Sequence, residues 1–431
     1  MLPIHHITVN LDYIINLLRH ESTSGITASV ATFLSAEQAA AELGVNIPTL
    51  YAYVSRGLIR SEAEGRTRRR RYLAEDIWLL KQRKQHRRDP NKAAEEALHW
   101  GLPVLSSRLS VIHGGRLYYA GRDVISLATT SSLEQVAALL WMGDLGAPFP
   151  AEVIDPLPPE WGTLARVVPR LPPLEAFQLV LPVVAAHDPF AYDLRPESVQ
   201  RSGARILRLL AAVAAATRPT RAPVAQVLQR RWAPKRPDVT ALLQAALVLY
   251  ADNGLNPSSF TARCVASAGS TPYALVAAGL AALQGTKHGG ACERAAGLLE
   301  EAADPRGARR AVVARLRRGE SMPGFGHPLY PDGDPRGALL MQLIAKHRPK
   351  SPDVALALAL TDAVRELMNQ HPTIDFGVVT LCRALQLPAS APLALLGVGR
   401  VVGWIAHGLE QYREGREIRP RARYAGEPPR A

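Results

Sequence analysis

The sequence predicts a mainly α-helical protein, a large helical domain preceded by a small basic module. Three observations carry that prediction. Ala- and Leu-rich stretches with a 3.6-residue apolar period recur at 197–217, 238–250, 271–283 and 352–371, punctuated by prolines and glycines. In the large domain only one short hairpin stands out, Val111 to Arg122 (VIHGGRLYYAGR), with Gly114 and Gly115 at the turn. Charge is uneven: residues 56–88 hold twelve Lys/Arg against four Asp/Glu, a net +8 out of +13 for the whole chain.

In chain order, residues 1–33 read as a disordered leader without a clear period. The apolar run Ile14 to Leu18 is broken by Asn16 and preceded by no Lys or Arg, which argues against a secretory signal. From Leu34 the pattern sharpens. Ser35 with Gln38 makes a capping box for a helix Ala36 to Leu43, which Gly44 ends. Asn46 caps a second helix with Pro48 in its first turn and Gly57 at its close. Arg66 to Tyr72 then reads as a hairpin or wing, before an amphipathic helix from Ala74 to Lys84. The order resembles the MerR and excisionase type of winged helix-turn-helix, over 34–88. It implies that Thr49, Tyr51 and Ser55 on the second helix meet base edges while Arg68, Arg69, Arg70 and Arg71 engage phosphates. A solvated charge run on a protein-binding domain is the plainer alternative. Asp89-Pro90-Asn91 opens a linker, 89–100, with a short helix from Lys92 to His99.

Length and composition fit two or three domains: 431 residues, 47% hydrophobic. Three scattered cysteines, Cys264, Cys292 and Cys382, form no disulfide framework or zinc site and suit a reducing cytoplasm. No stretch reaches the roughly 18 uninterrupted apolar residues of a membrane span, so no membrane partner is expected.

The large domain, 101–426, carries three segments in fixed order: Leu283 to Glu293 (LQGTKHGGACE), Pro323 to Arg336 (PGFGHPLYPDGDPR) and Ile374 to Phe376 (IDF). They resemble the active-site segments of the citrate synthase family, which carry a His-Gly-Gly after a helix, a Gly-Phe-Gly-His followed by Asp-Pro-Arg, and a later Asp-Phe. Tyr250 to Thr261 (YADNGLNPSSFT), Gly399 to His407 (GRVVGWIAH) and Ile418 to Tyr424 (IRPRARY) resemble further segments of the family. Singly, each has a plain structural reading, a helix cap for His288 or an N-terminal helix acid for Asp375. Their joint order does not.

The resemblance implies a nearly all-α fold with a large domain and a smaller one, about 291–385, that closes over substrate. It implies the reaction of the tricarboxylic acid cycle that joins acetyl-CoA to oxaloacetate, with CoA as co-substrate and no bound cofactor or metal. Asp375 would take a methyl proton, His288 would donate to the thioester oxygen, and His327 would protonate the ketone. Arg336, Arg400 and Arg419 would grip the keto acid's carboxylates bidentately, Arg419 from the partner of a homodimer. Asn253 stands where the family has a histidine, retaining a donor but no cationic form. Pro328 stands where many members have an arginine near the coenzyme, a loss Lys287 would offset; Cys292 replaces an asparagine, and Gly377, replacing an aromatic, is expected to widen the pocket beside Asp375. Two alternatives stand beside the leading reading: propionyl-CoA as substrate, giving 2-methylcitrate, and a non-catalytic regulator that senses oxaloacetate or acyl-CoA. The retained Asp375 argues against the regulator, because binding alone needs no base.

Overall fold

The computed structural model describes residues 33–63, 70–74, 76–77, 80–81, 105–422 and 424–427. The leader 1–32, Arg68, Arg69 and the linker 89–100 lie outside the described residues. Two compact units divide the chain, Met1–Ser106 and Ser107–Ala431.

The first unit orders β1 (Phe33–Leu34), α1 (Ala36–Leu43), α2 (Ile47–Ser55), β2 (Ser61–Ala63) and β3 (Arg70–Leu73). The capping box closes as read: the Gln38 amide donates to Ser35 Oγ at 3.2 Å and the Ser35 amide to Gln38 Oε1 at 2.9 Å. Gly44, at φ 60, ends α1. Asn46 Oδ1 accepts the Thr49 amide at 2.9 Å to start α2. β3 lies between β1 and β2, antiparallel to both, with Leu34 and Ser61 flanking Tyr72. Ala39, Ala40, Leu43, Leu50, Ile59, Tyr72 and Ile77 form its core. The hairpin thus begins at Ser61 rather than Arg66, and β1 is a third strand. Two residues are too short to display an alternating pattern, so β1 is visible only through its partner.

The second unit opens with a small antiparallel sheet of β4 (Ser110–His113), β5 (Arg116–Tyr119) and β6 (Arg122–Asp123), with Gly114 and Gly115 at φ 55 and 71 in the first turn. Helices follow: α3 (Val124–Thr130), α4 (Leu133–Met142), α5 (Trp161–Val167), α6 (Pro173–Ala186), α7 (Pro196–Ala214), α8 (Val224–Trp232), α9 (Val239–Tyr250), α10 (Pro257–Ser267) and α11 (Pro272–Leu283). Then come α12 (Ala291–Ala302), α13 (Ala308–Arg317), α14 (Pro335–His347), α15 (Pro352–Met368), α16 (Ile374–Ala384) and α17 (Ala391–Glu414). α12 to α16 pack on one another, while α4, α6, α7, α9, α10 and α11 pack on α17.

α17 is long and apolar enough to cross a membrane, yet 89% of its most apolar stretch is buried among these helices. That burial makes it the core helix of the unit. Gly403 permits the closest approach: its amide donates to the Ala251 carbonyl at 3.0 Å, and a Cβ there would lie 2.4 Å from that oxygen. α15 stops at Met368, short of the expected 371, because Asn369 turns left-handed at φ 51. The residues so released run beside the His327 loop.

Candidate active site

Two of the three motif segments are stitched together by backbone. The Gly326 amide donates to the His371 carbonyl at 3.0 Å, the Thr373 amide to the Gly324 carbonyl at 2.8 Å, and Phe325 bridges Pro372. Gly324 adopts φ 80 with a hypothetical Cβ only 2.9 Å from Phe376 Cβ, so no larger residue fits this crossing. His327 and Asp375 are therefore fixed to one another across 48 residues of sequence.

Asp334 reinforces the junction. It caps α14 by accepting the Arg336 amide at 3.0 Å, and it holds the Arg336 guanidinium through Nε at 2.9 Å and a terminal nitrogen at 2.9 Å. Its Oδ2 also accepts the Ile374 amide at 3.1 Å, capping α16 from another helix. Thr373, the local cap residue of α16, supplies no side-chain bond. Burial presses against ionisation of Asp334, but Arg336 outweighs it and holds the carboxyl below its usual range.

Arg336 and Arg400 are 1% and 5% exposed, and neither spends all its donors. Arg336 Nη1, Arg400 Nε and Arg400 Nη1 are buried without a hydrogen-bond partner among the described residues. An unspent buried donor costs free energy, about 1–3 kcal/mol and more when charged, so three of them mark a site for an anion. Burial lowers the pKa of Arg400, opposed by Asp252. Asp252 in turn faces His407, whose Nε2 lies 3.3 Å from Oδ1. Asn253 belongs to the same neighbourhood: its Oδ1 accepts the Tyr330 hydroxyl at 3.4 Å, and the Tyr330 ring lies 5.1 Å from both the His327 ring and the Arg336 guanidinium carbon.

Both histidines are held neutral. Burial, then the Arg400 charge, brings the pKa of His288 down to about 4. Burial and Arg336 lower that of His327, with Asp334 and Asp375 opposing. The Leu329 amide donates to His327 Nδ1 at 3.1 Å, which places the ring proton on Nε2. His288 Nε2 lies 3.0 Å from Ser258 Oγ, which receives Trp404 Nε1–H at 3.3 Å and donates to Asn256 Oδ1 at 2.8 Å. Asn256 Oδ1 also accepts the Ser259 amide at 3.0 Å. Gly289 makes the turn possible, since a Cβ there would lie 2.1 Å from the Leu283 carbonyl oxygen.

Asp375, half-buried, accepts the Tyr250 hydroxyl at 3.0 Å and the Cys292 thiol at 3.4 Å, both on Oδ1. Sequence reasoning gave no role to Tyr250, Asp252, Ser258, Asp334 or Trp404. Asp334 was detectable, because Asp before Pro is a helix-start signal; Tyr250 was not, because its apolar period assigned it to the core of a helix.

Several expected residues lie elsewhere. Arg419 is exposed on the tail beyond α17, and Lys287 is exposed too. Gly377 does not widen the pocket: a Cβ there would meet Leu340 Cβ at 3.0 Å, so the missing side chain lets α14 and α16 approach instead. In the first unit, Thr49 Oγ1 donates to Asn46 Oδ1 at 2.6 Å, Ser55 Oγ donates to the Ala52 carbonyl at 3.0 Å, and Tyr51 is exposed. Arg70 donates to Ser61 and Arg71 to Glu62. A cavity of about 500 Å³ lies apart from all these groups, lined by Trp161, Leu164, Val168, Ala212 and Thr217.

The second unit matches known proteins over most of its length. A family model described as citrate synthase, C-terminal domain, matches residues 97–421. A citrate synthase of Haloferax volcanii is 30% identical over 361 residues, covering 76% of this chain and 94% of that protein. A 2-methylcitrate synthase of Shewanella oneidensis is 28% identical, covering 74% and 91%. The crystal structure of citrate synthase from Thermotoga maritima superposes with a TM-score of 0.65 at 27% identity, covering 76% of this chain and 94% of that one. The motif residues and this extended similarity agree, and the chain belongs to the citrate synthase family.

Proposed function

We propose that the protein is a citrate synthase-type acyltransferase that condenses acetyl-CoA with oxaloacetate and releases citrate and CoA. One observation carries the reading: two buried guanidiniums with unspent donors stand among two neutral histidines and a carboxylate. The guanidiniums suit the keto acid's carboxylates, which fill the donors that Arg336 and Arg400 leave open. Asp375 removes a methyl proton from the thioester. His288, neutral, donates a hydrogen bond to the thioester oxygen as charge develops there. His327, with its proton on Nε2, protonates the ketone oxygen as the carbon–carbon bond forms. Hydrolysis of the resulting thioester then frees CoA.

The test is oxaloacetate-dependent thiol release by the purified protein, with acetyl-CoA and propionyl-CoA compared. Propionyl-CoA is included because a relative named 2-methylcitrate synthase matches nearly as well as the citrate synthases. Asp375→Asn should bind oxaloacetate within about twofold of the parent and lose kcat by roughly 1,000-fold or more. No turnover with either thioester from the folded protein would sink the enzyme reading.

Arg419 is read as acting across a homodimer in the cytoplasm, since it is exposed within a single chain; a monomeric mass in solution would refute that. The first unit is read as a winged helix-turn-helix that binds DNA. Its support is the paired helices α1 and α2 beside a basic β-hairpin. Tyr51 is the exposed aromatic on α2, while the hydroxyls of Thr49 and Ser55 donate within their own helix and its cap.

A further inference from the structure

Tyr250 lies at the end of α9 and Cys292 at the start of α12, outside the set His288, His327 and Asp375, yet both reach one atom. The Tyr250 hydroxyl is 3.0 Å and the Cys292 sulfur 3.4 Å from Asp375 Oδ1, and the two donors are 3.5 Å from each other. Tyr250 is 1% and Cys292 2% exposed. Burial, reinforced by the neighbouring Asp375 charge, pushes both the phenol and the thiol well above their ordinary pKa values. Both therefore keep their protons and serve as donors.

A carboxylate on a short side chain has a broad, two-fold torsion, and its two oxygens are equivalent until the surroundings distinguish them. Among the described residues both side-chain hydrogen bonds to the Asp375 carboxylate fall on Oδ1. We propose that Tyr250, assisted by Cys292, is the positioning residue for Asp375, holding Oδ1 so that Oδ2 is the oxygen that takes the acyl methyl proton. The proposal rests on Asp375 being the base. In the step, the C–H bond of the methyl group breaks, its proton joins Oδ2, and its electron pair moves into the enolate, whose charge settles on the thioester oxygen. Tyr250 and Cys292 transfer nothing. They remove the rotation that would otherwise swap the two oxygens. Charged or titratable groups facing the start of α16 include His327 on the stitched loop and Asp334 with Arg336 at α14, while Cys382 and Arg383, the latter paired with Asp353, lie near its far end. Among the described residues neither His327 nor Arg336 hydrogen-bonds Asp375; Arg336 directs Nε and one terminal nitrogen at Asp334.

The experiment compares Tyr250→Phe, Cys292→Ala, Cys292→Ser and Asp375→Asn in the whole protein, reading kcat, the KM for oxaloacetate, and exchange of acetyl-CoA methyl hydrogens with deuterated solvent. Tyr250→Phe should lower kcat and exchange about tenfold or more, leaving the KM within about twofold, as expected for a donor to a charged group at the reacting carboxylate. Cys292→Ala should cost about two- to fivefold, because a thiol is a weak donor, and Cys292→Ser should restore most of it. A merely structural role would move melting temperature and oxaloacetate binding together with kcat and would not distinguish serine from alanine. If Tyr250→Phe fails to fold, the cysteine pair carries the test. Wild-type kcat and exchange in Tyr250→Phe, with Asp375→Asn inactive, would overturn the positioning role while leaving the base assignment standing. Wild-type activity in Asp375→Asn would overturn the base assignment itself. Equal kcat in Cys292→Ala and the parent, in a protein whose Tyr250→Phe does not fold, would also overturn the proposal.

Discussion

The basic first unit and the site of the second unit both depend on arginine, and they use it in opposite ways. On the hairpin of the first unit, guanidiniums are exposed and spend their donors on neighbours: Arg60 on Asp76, Arg70 on Ser61, Arg71 on Glu62. In the second unit Arg336 and Arg400 are buried and keep donors in hand. An exposed guanidinium loses little by pairing and little by being unpaired, because water screens both states. A buried one with open donors carries a standing penalty unless water, an ion or a ligand satisfies it. The difference separates a surface that attracts by net charge from a site that recognises by geometry.

The largest expected effect breaks the comparison inside the site. Arg336→Met strands the buried Asp334 carboxylate and should cost about 3–5 kcal/mol of stability along with oxaloacetate binding. Arg400→Met removes a cation whose Nε and Nη1 bond nothing. It should weaken oxaloacetate binding about 100-fold with far less loss of stability. Calorimetry with oxaloacetate and chemical denaturation of the two variants would separate them, and equal destabilisation would show that Arg400 is paired after all.

A smaller effect sharpens it by pH. His288 has its pKa lowered from 6.5 to about 4 in the folded protein. As pH falls below 6.5 the unfolded chain takes up this proton first, so stability is full above that value and declines with acidification to about pH 4. The loss is up to about 3 kcal/mol on this account, with His327 adding in the same direction. His288→Gln should flatten that decline in a denaturation series between pH 7 and 4. A variant with the parent's slope would place the titration elsewhere.

The smallest effect concerns the first unit. Whole protein should bind duplex DNA with an affinity that falls steeply with salt. If Arg71 is spent on Glu62, Arg71→Ala should hardly change the slope, whereas Glu62→Ala should free a cation and steepen it by about 1 in log–log terms. Either change should alter stability by less than about 1 kcal/mol. Absence of binding at low salt would make the module something other than a DNA reader.

Much of this was legible in the chain. The caps at Ser35 and Asn46, the Gly114-Gly115 turn and the motif residues His288, His327 and Asp375 are local signals, set by short-range chemistry. What escaped was set by contacts distant in sequence. Tyr250 looks like one more apolar helix position until α9 is seen to end at Asp375, 125 residues away. Gly377 looked like a vacant place in a pocket until Leu340 was found against it. β1 needed β3 to exist at all.

Asp334 has one more consequence, for anyone who dissects this site by mutation. A single carboxylate orients a guanidinium on one helix and fixes the first turn of the helix that bears Asp375. Replacing it would alter grip and chemistry together, so a scan would score Asp334 beside Asp375 although the bonds it makes are to Arg336 and Ile374. Only the variant's response to added small carboxylates such as formate, or a partial return of binding without turnover, would tell a hinge pin from a tool.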